Sequence, residues 1–324
     1  MSKTGYARVF SLTLLAALLL PACEALAEYP DRNIDLIIPY GPGGGFDLYA
    51  RAVAKEMDAQ LPKGLTVIPR NVPGAGSVKG ITAMYRAAPD GYTMGIVDLP
   101  GAVEPAIVGE ATAYDLDKVT WLGLVNIGVY SLVVGKNSRF QTLADFQKAH
   151  GQPAYIATTG SNDLAMAKIV AAALQLDVKY LSGYSGGPDT HLAIIRGEAD
   201  AGLGMDVTIA KYLKSGDLRQ LVWFQKRGAR DTPKDVPSAE DVGHPELTNL
   251  GLYRMFAAPP GLPPAIQTKL TSIVQQALHS PQLAAWSEQT QFPLDVGSPA
   301  RAEALYREQK DFLQKYRPLL KPEP

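Results

Sequence analysis

Cysteine is all but missing from this chain: 324 residues contain one, Cys23. A single thiol cannot close an intramolecular disulfide, so a packed core has to hold the fold. Histidine is scarce too, at positions 150, 191, 244 and 279, and none has a second His or a Cys at metal-ligand spacing. Long basic runs are absent, the longest being Lys226-Arg227, and the formal net charge is -1. The electrostatic footprint of a nucleic-acid binder is therefore missing, and an anionic partner would have to be held locally. After residue 28 no apolar run is long enough to span a bilayer. What the chain does have is 46% hydrophobic and only 19% charged residues. That suits a large core or two medium domains and excludes a disordered chain.

The first 27 residues differ from the rest. Lys3 and Arg8 precede the apolar stretch 9–20, and Ala25-Leu26-Ala27 supplies the small residues that a signal peptidase reads. Residues 1–27 are thus expected to be a secretory signal. A competing reading takes Leu20-Pro21-Ala22-Cys23 as a lipoprotein site that leaves Cys23 acylated, but proline is unusual there. Cleavage after Ala27 removes the one thiol, and with it thiol nucleophiles and Cys-ligated metals. The expectation is a soluble protein in an exported compartment.

Periodicity then alternates strand and helix. Residues 33–40 read as a buried strand, 41–45 as a glycine-rich loop, and 46–61 as a helix through Leu48, Ala52, Val53 and Met57. The order repeats with 66–68 extended, 71–76 a loop, 77–87 helical and 93–97 a third strand. A crossing strand at 129–134 and a short helix at 142–150 lead into a second series at 154–157, 163–176, 178–181, 190–196 and 199–203. Two successive series imply α/β layers with mainly parallel strands in two lobes, with ligands at the carboxyl ends of the strands. From Leu262 onward the pattern is helical, over 265–279, 281–289 and from Ser298-Pro299 to Tyr316. These helices should pack on the first lobe and tie the chain ends together.

Four loops could carry chemistry. Residues 41–47, G-P-G-G-G-F-D, place three consecutive glycines before a helix, so open main-chain amides and a helix N-terminus would suit an oxyanion. The dinucleotide pattern fails because Phe46 stands where its third glycine would fall, and no Gly-Lys-Ser/Thr follows. The plainer reading is a tight turn with Asp47 as a helix cap. Residues 71–77, N-V-P-G-A-G-S, repeat the chemistry, with Ser77 placed to cap the next helix. Neither loop holds a Lys or Arg, so main-chain amides and helix dipoles should carry the binding. Thr158 to Asn162 combine hydroxyl and amide groups at another strand-to-helix junction, where capping competes with ligand contact. Finally, G-Y-S-G-G at 183–187 fits the nucleophile elbow G-x-S-x-G, which would make the chain a secreted serine esterase with Ser185 as nucleophile. Its partner histidine would be His244 or His279, neither set in a motif, and Pro188 is unusual after an elbow. Trp121, Trp223 and Trp286 are isolated and read as core.

Taken together, Tyr29-Pro30 with I-D-L-I-I-P-Y-G-P-G-G-G-F-D-L-Y-A-R (34–51), N-V-P-G-A-G (71–76), A-A-P-D-G-Y-T-M (87–94) and Y-D-L-D-K (114–118) resemble the extracytoplasmic solute receptors of tripartite tricarboxylate transporters, the Bug-type receptors. So do G-E-A-D-A-G-L-G-M-D (197–206), D-V-P-S-A-E-D-V-G (235–243) and the run 257–270. The resemblance covers essentially the whole chain after the signal. It implies a two-lobed α/β periplasmic binding protein, not an enzyme, with a helical C-terminal region. Its lobes would be 28–130 and 131–250, and 251–324 would return to the first lobe. It also implies a carboxylate held by Tyr40, Gly43, Gly44, Gly45, Phe46 and Asp47, and by Pro73, Gly74, Ala75 and Gly76. The second lobe would read the rest of the ligand from Thr158, Thr159, Gly160, Ser161 and Asn162, from Tyr184, Ser185 and Gly186, and from Asp206. The implied partners are a small organic carboxylate and membrane permease subunits or a sensor kinase, with no cofactor, metal or nucleic acid, and the receptor would work as a monomer in the periplasm. Relatives often carry Pro-His where this chain has Asn162-Asp163. A carboxylate at 163 should repel a second ligand carboxylate, favouring aromatic or hydroxylated monocarboxylates over citrate.

Overall fold

The computed structural model describes residues 29–321 apart from 150, 160, 185, 230–232 and 234, and says nothing of the side chains of Ser161 and Asn162. The expected signal, Cys23, His150, Gly160 and Ser185 lie outside the described residues.

Among the described residues, nine strands build two sheets that share one strand. They are β1 Ile34–Ile38, β2 Val67–Asn71, β3 Thr93–Leu99, β4 Thr120–Gly135, β5 Ala154–Thr158, β6 Val178–Ser182, β7 Ala201–Met205, β8 Leu218–Trp223 and β9 Gly251–Ala258. The first sheet runs β2-β1-β3-β9-β4 with β1, β2 and β3 parallel. β9 is antiparallel to both β3 and β4. The first part of β4, as far as Val129, pairs with β9; residues from Tyr130 onward pair with β7 on one side and β8 on the other. β7, β5 and β6 then continue the second sheet in parallel. This mixed, mainly parallel arrangement is a two-lobed α/β fold, with β4 running through both sheets.

The expected helices form. α1 Gly45–Asp58 buries Phe46, Tyr49, Ala50, Val53, Ala54 and Met57, the spacing of one helical face. α2 Val78–Tyr85, α3 Glu104–Val108, α4 Leu143–Gln147, α5 Ser161–Ala173, α6 Gly187–Arg196 and α7 Asp206–Ser215 follow. α8 Pro264–Leu278, α9 Pro281–Thr290 and α10 Pro299–Lys315 each start on a proline, whose fixed φ suits the first turn. Ser280 and Ser298 cap the last two by accepting hydrogen bonds from Leu283 and Arg301 amides.

Successive residues of β1 go to opposite faces of the first sheet. Leu36 and Ile38 pack with α1 and α8, through Val53, Met57, Leu270 and Val274. Ile37 belongs to the other core, where Ile81 of α2 and Tyr306 and Leu313 of α10 cover the sheet. α8 and α10 thus pack on opposite faces of the first sheet.

Three elements differ from the sequence reading. β4 begins at Thr120, nine residues before the crossing strand expected at 129. Gly123 and Gly128 disguise it, and its pairing with β9 is broken by bulges at Trp121/Gly123 and Leu124/Asn126. β9 and the pair α7–β8 carry no strand or helix expectation at all. In β9 the buried Arg254 interrupts an otherwise apolar run.

Candidate functional site: a cleft between the lobes

Because β1 and β2 are parallel neighbours, the loops that follow them emerge side by side. In the first, residues 41–44 are exposed. Gly44 is the N-cap of α1, extended at φ -79° and offering no side chain to the helix. The first-turn amides of α1 thus have no intrahelical acceptor and the positive end of the helix is open. In the second, Gly74, Ala75, Gly76 and Ser77 all have positive φ, at 141°, 48°, 58° and 92°. For a non-glycine residue such backbone costs about 1–3 kcal/mol, strain typical of ligand-binding turns. Residues 73–76 are exposed. Ser77 occupies the N-cap of α2, but its side chain makes no capping bond; it is buried close to the Tyr40 hydroxyl.

Asp47 stitches these loops together. Its Oδ2 accepts from the Gly43 amide at 2.9 Å, and its Oδ1 accepts from Arg51 Nε at 2.9 Å and Asn71 Nδ2 at 2.8 Å. Asn71 Nδ2 also donates to the Tyr40 carbonyl at 3.0 Å. Burial alone would raise the Asp47 carboxyl, but these donors outweigh it and hold it below the ordinary carboxylate range. Asp47 is thus not a cap of α1, whose N-cap is Gly44: its carboxylate ties the two loops together, and what they offer a ligand is main chain.

Between the lobes lies a cavity of about 330 Å³, at the small end of the range for small-molecule sites. Tyr40, Phe46 and Asp98 line it from the first lobe, Tyr130 and Leu252 from β4 and β9, and Thr159, Asp163, Gly186, Gly187, Thr190, His191, Met205 and Thr208 from the second. Tyr40 donates its hydroxyl to Asp98 Oδ2. Asp98 is fully buried, and Oδ1 makes no well-formed hydrogen bond. Burial pushes its carboxyl up to about 6, against the opposing pull of Tyr40, Arg254 and the Gly101 amide. Across the cavity, Asp163 Oδ2 accepts from the Thr159 amide at 2.9 Å and its hydroxyl at 3.3 Å, so this carboxylate occupies the N-terminus of α5. Burial pushes it up as well. His191 is 1% exposed with Nδ1 unpartnered, and burial, helped by Lys211, pushes it down to about 4.

Sequence reasoning missed Asp98, His191 and Arg254. Arg254, on β9, is 5% exposed with Nε unpartnered, and it makes no salt bridge among the described residues. Its Nη2 lies 3.1 Å from where a Cβ on Gly45 would be. The first loop is thus not free of cationic support, as its own composition suggested; the cation arrives from 209 positions downstream in the chain. The signal that could have found it is a lone charge inside an apolar strand, which holds for Asp98 in T-M-G-I-V-D-L as well.

Of the other expected site residues, Thr158 is buried with its hydroxyl 2.9 Å from Ser182 Oγ. Tyr184 packs on the second-lobe core around Val133 and Ile209. Asp206, the first residue of α7, lines a neighbouring cavity of about 460 Å³ with Asn126, Ile127 and Trp223. Neither His244 nor His279 lines the cavity that Gly186 and Gly187 line: His244 faces Glu246 at 3.5 Å and His279 Nδ1 is 2.8 Å from the Gln275 carbonyl. Among the described residues no group of three His, Cys, Asp or Glu could hold a metal, and no helix is long and apolar enough to cross a membrane.

The sequence profile described as "Tripartite tricarboxylate transporter family receptor" matches residues 49–321. A UPF0065 protein of Cupriavidus necator is 29% identical over 86% of this chain and 84% of its own length, and Protein BugT of Bordetella pertussis is 26% identical over 78% of each. Among solved structures, a TctC solute binding protein from Polaromonas superposes with a TM-score of 0.73 at 20% identity, over 90% of this chain and 99% of its own. MatC from Rhodopseudomonas palustris, solved with bound malate, gives 0.72 at 23% identity, over 90% and 100%. The chain belongs to the receptor family of the tripartite tricarboxylate transporters.

Proposed function

We propose that this protein captures a small organic carboxylate between its lobes and delivers it, chemically unchanged, to the permease subunits of a tripartite tricarboxylate-type transporter. The observation that carries this reading is the pairing of two exposed, amide-rich loops at the carboxyl ends of adjacent parallel strands, one of them ending on the uncapped N-terminus of α1. Open amides at a helix start are an anion site, and a carboxylate fits the small volume. MatC with malate and a second R. palustris relative solved with adipate, at 18% identity, point the same way by analogy. Residues 1–27 act as a Sec signal in this reading, residues 28–130 and 251–324 make the first lobe, and 131–250 the second.

Calorimetry with a panel of small carboxylic acids and their methyl esters tests it. Binding of one or more acids, lost on esterification, is the expected result. Turnover of the esters, or no binding by any acid, overturns it.

A further inference from the structure

The cleft carries more negative charge than a receptor for a di- or tricarboxylate can use. Asp98 and Asp163 line it from opposite lobes, while no Lys or Arg is among the described residues that line it. Both carboxylates raise the pKa of the Tyr130 hydroxyl alongside burial, with Asp206 adding to them and Arg254 opposing, so the two lie within electrostatic range of one group. The anion loops belong to the first lobe, and at the second lobe the N-terminus of α5 is already occupied by Asp163 itself. A second ligand carboxylate would therefore meet like charge.

Two buried polar atoms on this cavity are left unpartnered, which a binding protein can tolerate when a ligand completes them. Asp98 Oδ1 is an acceptor on a fully buried carboxylate, and His191 Nδ1 sits on a ring that is 1% exposed. Asp163 accepts both Thr159 hydrogen bonds through Oδ2.

We propose that Asp98 and Asp163 form a second subsite, for a positively charged nitrogen, so that an amino-substituted carboxylate is preferred to the same acid without its amino group. The proposal rests on the carboxylate-receptor reading above. The ligand's carboxylate lies on the amides of the first lobe, its ammonium donates to Asp98 Oδ1 and Asp163, and the neutral His191 ring accepts or donates the remaining hydrogen bond. Bringing Asp163 to the ammonium requires both lobes, so the same contact favours the closed cleft.

Matched pairs separate this from the parent reading: succinate against aspartate, and pentanoate against 5-aminopentanoate, titrated by calorimetry into wild type, Asp98→Asn and Asp163→Asn, with melting curves to establish folding. Asn keeps an acceptor for Tyr40 and for the Thr159 amide. The expected result is that the amino member of a pair binds at least tenfold more tightly and that each substitution brings this ratio toward one. Succinate or pentanoate binding as tightly as its amino partner overturns the proposal and leaves the receptor reading standing. An amino preference that survives in both folded variants overturns the assignment to these residues. No binding by any of the four, with other carboxylates also inert, overturns both.

Discussion

The guanidinium carbon of Arg254 lies 4.8 Å from the centroid of the Phe46 ring. The Tyr49 ring is 5.1 Å away on the same helix, and Arg254 Nη1 donates to Asn126 Oδ1. A cation from β9 is thereby stacked under the first turn of α1, where the amides of the glycine loop open outward. Burial lowers its pKa, opposed by Tyr49, Asp98, Tyr130 and Asp206. A guanidinium held dry without a salt bridge is costly, and a bound anion on the other side of the loop would offset that cost.

Arg254→Met should therefore weaken carboxylate binding while leaving the fold intact. A cation about 8 Å from a carboxylate contributes roughly 2 kcal/mol at an effective dielectric of 20, or about thirtyfold in affinity. Methionine fills the apolar stem's space, so melting should move by only a few degrees. Unchanged affinity in the folded variant would detach Arg254 from binding.

The glycines of the two loops should respond differently. At Gly44, φ is -79° and a Cβ would meet nothing closer than the Gly41 carbonyl at 4.0 Å, so Gly44→Val obstructs the anion without straining the backbone. At Gly74, φ is 141° and a Cβ would come within 3.2 Å of Lys79, so Gly74→Val strains the loop as well. Both should lose tenfold or more in affinity, and Gly74→Val alone should also lose stability. Parallel calorimetry and thermal melts read the two effects separately; full affinity in Gly44→Val would take the first loop out of the site.

Stability should depend on pH through Asp98 with a definite sign. Its carboxyl titrates at about 6 in the fold, against an ordinary value of about 3.9 in the unfolded chain. Between those values the folded state holds more protons, so this group's contribution falls as pH rises toward 6, and the penalty of roughly 3 kcal/mol is complete above that. Asp98→Asn should melt at a higher temperature than wild type at pH 7.5, with the gap closing toward pH 4. His191 runs the other way: its folded value of about 4 lies below the ordinary one, so its contribution is lost as pH falls through that window. A gap between wild type and Asp98→Asn that is constant with pH would mean that the buried carboxylate is already neutralised.

How much of this was legible beforehand depended on the range of the interactions. The glycine loops, their helices and the proline-initiated C-terminal helices are local features, and the motifs at 41–47 and 71–77 announce them directly. Asp47 was recognisable as a local support because its partner Gly43 is four residues away, although it does not cap α1. The charges of the cleft were not: Asp98 meets Tyr40 across 58 residues and Arg254 meets Asn126 across 128. Their sequence trace is a lone ionisable residue in an apolar strand, which marks burial without naming its partner.

Ligand binding should compact the molecule. Each sheet's elements supply only part of the cavity wall, and β4 passes from the first sheet to the second at residues 129–130. Small-angle scattering should show a smaller radius of gyration on addition of a ligand that calorimetry has established. An unchanged radius at saturation would mean a site already closed.

The place of β9 also sets the order in which the chain can assemble. It fills the gap between β3 and β4, so the first sheet cannot be completed until synthesis has passed Ala258. The strands of the second sheet are contiguous in sequence, from the latter part of β4 to β8, and close earlier. The anion loops, borne on the first sheet, therefore gain a rigid base last, after the slow pairing of strands more than a hundred residues apart. A chain cut before residue 251 should retain second-lobe structure while β1, β2 and β3 lack the strand that joins them to β4.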